Sequence, residues 1–426
     1  MTEPWASTWR GALGPGLLMA GAAVGVSHLV QSTRAGADYG LLLIPVVLLA
    51  CLLKYPFLEF GPRYAAATGE DLLVGYRRLG RWALGLFALV TVGTMFIVLA
   101  VVTLVTAGLA GLVLGLDAPV AVISAGILAA CVLLLALGNY RGLDLAMKLL
   151  MGALAVSTLS AVLLAIGRQP DWSGISGVAA APRLLTAGGV AFLLALVGWM
   201  PIPVEVAAWH SLWTRERALQ TGRPPSVRHA ILDFRIGFVG ATVLACAFLL
   251  LGALLMHASG LRFADSAAGF SAQLVDLYAR NLGEWSRPLI AVAALSTMFS
   301  TTLAVADAYP RVLAAILDAA RHGMDAAARP AGAGRRRYLA ALLIVSGGAL
   351  LILHQAGAAF TRLIDFATTL SFLSAPLLAW ITLRAVTGPH MPPAARPGTR
   401  LLWLARLSLA FGIAFSITWL LWLLLG

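Results

Sequence analysis

The sequence predicts an all-α integral membrane protein with eleven transmembrane helices, of which the first and the sixth are broken. Of its 426 residues, 60% are hydrophobic and only 11% are charged, whereas roughly 25% of an ordinary globular chain is charged. Apolar windows of about 20 residues, enough to cross ~30 Å of hydrocarbon, recur eleven times along the chain. Two of these windows contain glycine or proline at positions where a continuous helix is unfavourable.

The apolar windows leave no room for a soluble domain. They lie near residues 12–33, 40–62, 84–113, 118–138, 143–167, 185–211, 232–257, 287–316, 338–355, 360–384 and 401–425. The hydrophilic stretches between them have the length of loops. We therefore expect residues 1–426 to form a single membrane domain.

The positive charge of the chain follows its loops. The net charge is +12, and 28 of the 30 basic residues are arginines, which form short clusters between apolar windows and no aromatic-rich patch for nucleic acid. With the N-terminus inside, the inner loops hold 20 basic residues and the outer loops seven. The positive-inside rule then predicts a bacterial-type inner (plasma) membrane protein with a cytoplasmic N-terminus and an external C-terminus. The expected partners are the lipid bilayer and a small substrate, with no nucleic acid and no obligate protein partner.

Helix-breaking residues occur in the first and the sixth window. In the first, Gly25 weakens the helix and polar side chains begin at Ser27. In the sixth, Pro201 and Pro203 each lack a backbone donor, and the carboxylate of Glu205 follows at once. Because unwound backbone is tolerated at membrane depth only where it lines a cavity or binds something, these breaks mark a candidate site.

The positions of the two breaks predict the architecture. Interrupted spans at matching places of two halves are typical of transporters built from five-plus-five inverted repeats. We expect one repeat over about 12–167, a second over about 185–384 and an extra helix over about 401–425. A pair of packing kinks is the alternative interpretation, since glycine and proline are common in membrane helices.

The residues beside the breaks form the predicted substrate site. It comprises Gly25, Val26, Ser27, His28, Met200, Pro201, Pro203, Glu205 and Thr368. His28 and Glu205 are the candidate metal ligands, since an intramembrane ionisable residue indicates a functional site. Thr368 could instead serve helix contact. Lys54, Glu59 and Arg63 are explained by snorkelling or a structural ion pair as well as by function.

Chemistry other than transport finds little support in the sequence. No HExxH, GxSxG or GxGD pattern is present, so we do not expect an enzyme. The three cysteines lie in apolar runs and are read as small buried hydrophobic residues. We expect no cofactor beyond a bound substrate ion. A channel would favour a continuous polar pore, and a receptor would leave the two breaks unexplained.

Several segments resemble the Nramp family of divalent-metal transporters. Residues 14–18 (GPGLL) are similar to its opening motif, and residues 35–40 (AGADYG) to the turn after its first span. Arg63 with residues 67–72 (ATGEDL), and Gly198 to Ser211, resemble its second and sixth spans. The resemblance implies the leucine-transporter-type fold and transport by alternating access.

The chain departs from that family at the metal site. Where the family has Asp-Pro-Gly-Asn, this sequence has Gly25, Val26, Ser27 and His28, so the metal-binding carboxylate is missing. The methionine ligand of the family aligns with either Met200 or Pro203, depending on the anchor. The third span, 82–116, lacks the acidic residues of the family's proton route. The resemblance therefore supports the fold and the transport class, but not Mn²⁺ or Fe²⁺ selectivity or proton coupling.

The substrate class stays open between two alternatives. His28 and Glu205 with the carbonyls of the breaks could hold a divalent cation, and a hard hydrated ion needs few protein ligands. This is the first prediction. Half-helix N-termini, hydroxyls and a histidine could equally receive a small anion such as bicarbonate, or another non-metal solute.

Overall fold

In the computed structural model, the described residues are 14–137, 141–168, 172–222, 224–261, 263–322, 333–356 and 359–425. Their regular secondary structure is entirely helical, which confirms the all-α fold class. In the first half lie α1 (Pro15–Ala23), a π-helical turn (Ser27–Ser32), α2 (Thr33–Tyr39), α3 (Ile44–Thr68), α4 (Leu72–Leu79), α5 (Arg81–Leu114), α6 (Val120–Leu137) and α7 (Arg141–Arg168).

The second half begins with the short α8 and ends with α16, which begins at Thr399. Its helices are α8 (Ala181–Leu184), α9 (Ala187–Trp199), α10 (Val206–Thr221), α11 (Val227–Leu251) with a π-helical end (Gly252–His257), α12 (Ala267–Leu282), α13 (Ser286–His322), α14 (Ala333–Ala356), α15 (Phe360–Thr387) and α16 (Thr399–Leu425). Short 3-10 turns cover Gly40–Leu43, Val178–Ala180 and Pro393–Ala395.

The helices have the length and apolarity of membrane spans. Within the described residues, eight helices meet both requirements, or nine if the bent pair Val178–Leu184 and Ala187–Trp199 counts as one span. One of the eight runs from Ser27 to Thr68 and contains parts of two predicted windows. The total of eleven spans therefore stays a prediction.

Glycine allows that long helical path to turn. Gly40, between α2 and α3, has a φ of +58°, a backbone conformation that residues other than glycine rarely adopt. A Cβ atom at this position would also lie 2.4 Å from the carbonyl oxygen of Ile175. The C-terminal part of the first span and the second span are thus distinct segments joined at Gly40.

The N-terminus of α1 is fixed by a carboxylate from α11. The backbone N–H groups of Gly14 and Gly16 donate to the two oxygens of Asp233 at 3.0 and 2.6 Å. An acceptor here satisfies donors that a helix leaves free in its first turn. The GPGLL motif is therefore explained by close packing on α11, since a Cβ on Gly16 would lie 2.1 Å from the Asp233 carbonyl oxygen.

The two broken spans are neighbours in the centre of the bundle. Helix α1 packs against α10 and α13, and the π-helical turn Ser27–Ser32 packs against α9. Helix α9 also packs closely on α15, where a Cβ on Gly198 would lie 2.0 Å from the Thr368 carbonyl oxygen. These contacts place the first break beside α13 and the sixth break beside α15.

Candidate substrate site

Both predicted breaks are present. Helix α1 ends at Ala23 and the π-helical turn begins at Ser27, while α9 ends at Trp199 and α10 begins at Val206. The first break is short, because only Val24 and Gly25 lie outside helical geometry, and it ends before the polar side chains that begin at Ser27. Residues Ser27–Ser32 form a π-helical turn and are not unwound. Such turns inside helical spans are frequent at functional sites.

The two breaks touch each other. The Ser27 hydroxyl lies 3.3 Å from the Pro201 carbonyl oxygen, and the Ser32 hydroxyl lies 3.9 Å from the Met200 sulfur. A cavity of about 30 Å³ lies beside this contact. Its walls come from both breaks and from the flanking helices, and include Val26, Ser27, Val98, Ile202, Pro203 and Thr301. Three of the nine predicted site residues, Val26, Ser27 and Pro203, therefore line one common space.

Glu205 lies at the end of the sixth break and is held from two other helices. It is 4% exposed, and its oxygens accept hydrogen bonds from the Tyr309 hydroxyl at 2.8 Å and the Thr94 hydroxyl at 3.2 Å. Its side chain makes no capping hydrogen bond to α10. Its side chain thus does not cap α10, and the carboxylate links α5, α10 and α13.

His28 is buried behind the first break. Its Nε2 lies 2.8 Å from the Ala241 carbonyl oxygen, and its Nδ1 lies 2.8 Å from the Ser27 hydroxyl. Because a carbonyl can only accept, Nε2 must carry a proton. His28 and Glu205 have different partners and form none of the described ion pairs. The geometry favours a positioning role for His28, and its assignment as a metal ligand stays a prediction.

The remaining predicted residues contribute mainly through packing. Met200 is fully buried, and the Pro201 carbonyl oxygen lies in contact with the Ser27 hydroxyl. The Thr368 hydroxyl donates within its own helix, to the carbonyl oxygen of Ile364 at 2.8 Å. These contacts agree with the helix-contact interpretation of Thr368, and its role in binding a substrate stays a prediction.

Lys54 is a polar residue of this region that sequence reasoning set aside. Its ammonium donates to the carbonyl oxygens of Gly198 at 2.6 Å and Ile202 at 3.3 Å, both at the sixth break. The available signal was a lysine deep in an apolar span, which snorkelling explained equally well. The neighbouring interpretation of Glu59 and Arg63 as an ion pair is supported by a 2.6 Å contact.

Hydroxyl groups dominate the polar chemistry around the breaks. Thr301 of α13 donates to the Gly21 carbonyl oxygen at 2.9 Å, beside the first break. His210 of α10 is buried, and neither of its ring nitrogens has a hydrogen-bond partner. No group of three His, Cys, Asp or Glu side chains suited to a metal ion occurs among the residues that the structure describes.

Two discontinuous helices that meet at a buried cavity, inside a bundle of apolar spans, define a multi-pass membrane protein of the transporter class. Comparison with known proteins supports this assignment to the transporter class. The family described as natural resistance-associated macrophage protein-like (Nramp) matches residues 16–422. The chain belongs to the Nramp family.

Two relatives by sequence extend across much or most of the chain. An uncharacterized protein of Pasteurella multocida (strain Pm70) is 38% identical over 422 residues, which cover 96% of this chain and 93% of the relative. The divalent metal cation transporter MntH of Brucella suis biovar 1 (strain 1330) is 26% identical over 261 residues, which cover 58% of this chain and 55% of the relative.

Solved structures share the fold at low sequence identity. A crystal structure of a variant of the Eremococcus coleocola manganese transporter matches with a TM-score of 0.71 and 17% identity, over 98% of this chain and 88% of that chain. The same transporter in complex with an aromatic bis-isothiourea substituted compound matches with a TM-score of 0.68 and 17% identity, over 98% and 87%. These similarities confirm the predicted fold.

Proposed function

We propose that the protein is a secondary transporter that moves a small ion by alternating access, with a divalent cation as its substrate. The observation that carries this proposal is the contact between the two breaks, where Ser27 lies 3.3 Å from the Pro201 carbonyl oxygen. Paired breaks let two halves of a bundle bind one substrate and expose it to either side by rocking. Residues 12–167 and 185–384 would be the two moving repeats, with 401–425 outside them.

A hydrated hard cation suits the residues better than Mn²⁺ or Fe²⁺. Two similar proteins are named as a divalent metal cation transporter and a manganese transporter, which supports a divalent substrate. In this chain, however, glycine occupies position 25, where the family has a carboxylate. Glu205 supplies the carboxylate at the sixth break. An ion such as Mg²⁺ that keeps several waters needs few protein ligands.

Binding of a hydrated ion between the two breaks requires a second conformation of the protein. The cavity beside their contact has a volume of about 30 Å³, while one water molecule needs roughly 10–15 Å³. A hydrated ion therefore fits only when the breaks separate and the contact from Ser27 to Pro201 is lost. This requirement agrees with a cycle in which the substrate is released by movement of one half against the other.

A second candidate is transport of a small anion such as bicarbonate. Lys54 places an ammonium at the sixth break, and the first break has no acidic side chain. Positive charge and the positive dipole ends of the half-helices favour an anion. This candidate shares the alternating-access cycle and differs only in the charge of the substrate.

Uptake into liposomes tests both candidates. Purified protein is reconstituted with a Mg²⁺-sensitive dye inside, and parallel vesicles carry a pH-sensitive dye for bicarbonate entry. We expect saturable Mg²⁺ uptake that is stimulated by Mg²⁺ on the opposite side, as a carrier requires. Bicarbonate entry without Mg²⁺ uptake would favour the second candidate, and uptake that does not saturate would contradict a carrier. The Glu205→Gln variant is the matched control.

A further inference from the structure

Lys54 is a buried cation of the second predicted span, on α3. It is 6% exposed, and its ammonium contacts the carbonyl oxygens of Gly198 at 2.6 Å and Ile202 at 3.3 Å. Gly198 lies in the last turn of α9, and Ile202 lies inside the interruption between α9 and α10. The lysine therefore joins the end of α9 to the broken segment from a neighbouring helix.

The sixth break creates the acceptors that Lys54 uses. In a continuous helix the Gly198 carbonyl would accept from the backbone of residue 202, but α9 ends at Trp199. Pro201 and Pro203 have no N–H groups to replace the lost donors. Carbonyls at the C-terminal end of a half-helix carry partial negative charge, so this end favours a cation.

The charge of Lys54 is balanced by these carbonyls and not by a carboxylate. None of the described ion pairs includes Lys54. The acid that follows it on α3, Glu59, is already bound to Arg63 at 2.6 Å and lies 3.7 Å from Arg235. The ammonium thus occupies a position where a free cation would find the same oxygens.

Space next to the lysine allows it to withdraw. A cavity of about 60 Å³ adjoins Lys54 and is lined mainly by apolar side chains, including Phe57, Val197, Val204, Phe372 and Pro376. Moving a charge from carbonyl oxygens into apolar surroundings is unfavourable. A cation that takes the place of the ammonium must therefore compensate for this cost with its own binding energy.

We propose that Lys54 is a specificity-determining residue whose ammonium competes with the cation substrate for the carbonyl oxygens of Gly198 and Ile202. The inference rests on the proposed function, since it concerns a cation that enters the sixth break. Ile202 also lines the cavity between the two breaks, so the residue whose carbonyl contacts Lys54 borders the proposed path of the substrate. Competition of this kind lowers the affinity for every cation and favours those that bind strongly to carbonyl oxygens.

Binding of Mg²⁺ and Mn²⁺ to the purified full chain, measured by titration, tests the competition. Lys54→Met keeps the length of the side chain and removes its charge, and we expect at least tenfold tighter Mg²⁺ binding. Lys54→Arg keeps the charge and should bind as weakly as the parent. Phe57→Leu keeps the wall of the same cavity apolar and the ammonium in place, so it should not give the tenfold tightening expected of Lys54→Met. Thermal unfolding checks that each variant is folded.

Isotope labelling of the lysines gives an NMR signal that Mg²⁺ would leave unchanged if Lys54 had a purely structural role. The chain has only two lysines, Lys54 and Lys148. Carbon-13 at the lysine Cε therefore gives two NMR signals, and Lys148→Arg assigns them. Saturating Mg²⁺ should shift the Lys54 signal of the otherwise unmodified protein, even if the Lys54→Met variant does not fold.

The outcomes separate this inference from the proposed function. Mg²⁺ uptake by the parent, together with an unchanged Lys54 signal or an affinity within twofold in folded Lys54→Met, would overturn the competition alone. Absence of Mg²⁺ and Mn²⁺ binding in both the parent and folded Lys54→Met would overturn the competition and the divalent-cation proposal together. Tighter binding in Lys54→Met with a shifted signal supports the inference.

Discussion

The Thr301 side chain fills the space in which a side chain at Gly25 would lie. A Cβ atom built on Gly25 would be 2.7 Å from Thr301 Cγ2 and 3.0 Å from its hydroxyl oxygen. Thr301 also donates to the Gly21 carbonyl oxygen, which fixes it in this position. Packing of Thr301 from α13 therefore leaves no room for a carboxylate side chain at residue 25. The effect of a substitution at either position should depend on the residue at the other.

This coupling predicts the effect of the smallest substitution at the first break. Gly25→Ala should lower the free energy of unfolding by roughly 1–3 kcal/mol, the usual cost of overpacking. Adding Thr301→Ser removes the closest atom and keeps the hydroxyl, so the double variant should recover part of the loss. Thermal unfolding in detergent measures both effects, with Thr301→Ser alone as the control. Equal stability of Gly25→Ala and the parent would contradict the close contact.

Restoring the carboxylate should restore affinity for manganese only when space is made for it. We expect Gly25→Asp with Thr301→Ser to bind Mn²⁺ at least tenfold more tightly than the parent, because an acidic ligand offsets the cost of removing water from the ion. Gly25→Asn with Thr301→Ser has the same shape without the charge and is the control. Titration calorimetry decides, and equal affinities of the two double variants would count against this site.

Glu205 should matter through its charge more than through its hydrogen bonds. In Glu205→Gln the amide nitrogen can donate to the Thr94 hydroxyl, which has another acceptor in the Val90 carbonyl oxygen at 2.9 Å. The fold should therefore survive, while uptake should fall more than tenfold. Tyr309→Phe removes one donor and keeps the charge, so its uptake should fall less. Uptake within twofold of the parent in Glu205→Gln would show that Glu205 lies outside the site.

The sequence predicted the location of the breaks but not the partners of the residues in them. Proline and glycine act locally, so the interruptions near Gly25 and Pro201 followed from the residues alone. Thr301, Thr94 and Tyr309 lie far away in sequence, and single hydroxyls in apolar helices carry no signal of their neighbours. The contacts of Lys54 depend on tertiary packing in the same way, so snorkelling could not be separated from function beforehand.

The orientation predicted from charge is open to a direct test. Inner loops should hold 20 basic residues and outer loops seven, a bias that sets topology during insertion. A fluorescent protein fused to the N-terminus should fold in the cytoplasm, and a periplasmic phosphatase fused after residue 425 should be active. The reverse fusions are the controls. Activity of a cytoplasmic reporter at the C-terminus would contradict the odd number of spans.

His28 provides the sharpest separation between a ligand and a positioning residue. Its Nε2 donates to the Ala241 carbonyl oxygen and its Nδ1 contacts the Ser27 hydroxyl, each at 2.8 Å. Nε2 carries the proton donated to Ala241 and has no lone pair for a metal, and Nδ1 could reach a metal only if its contact with the Ser27 hydroxyl were lost. His28 instead holds Ser27, the residue that touches the sixth break.

We therefore expect His28→Ala to lower the free energy of unfolding by about 2–4 kcal/mol, since it leaves a cavity and a buried carbonyl without its donor. His28→Phe fills the volume and should recover part of that loss, but not the contact with Ser27. Both variants should change the half-saturating Mg²⁺ concentration by less than threefold. Unfolding curves and uptake on the same preparations provide the measurement. A loss of affinity above tenfold at unchanged stability would identify His28 as a ligand, because only the bond to the ion would then have been removed.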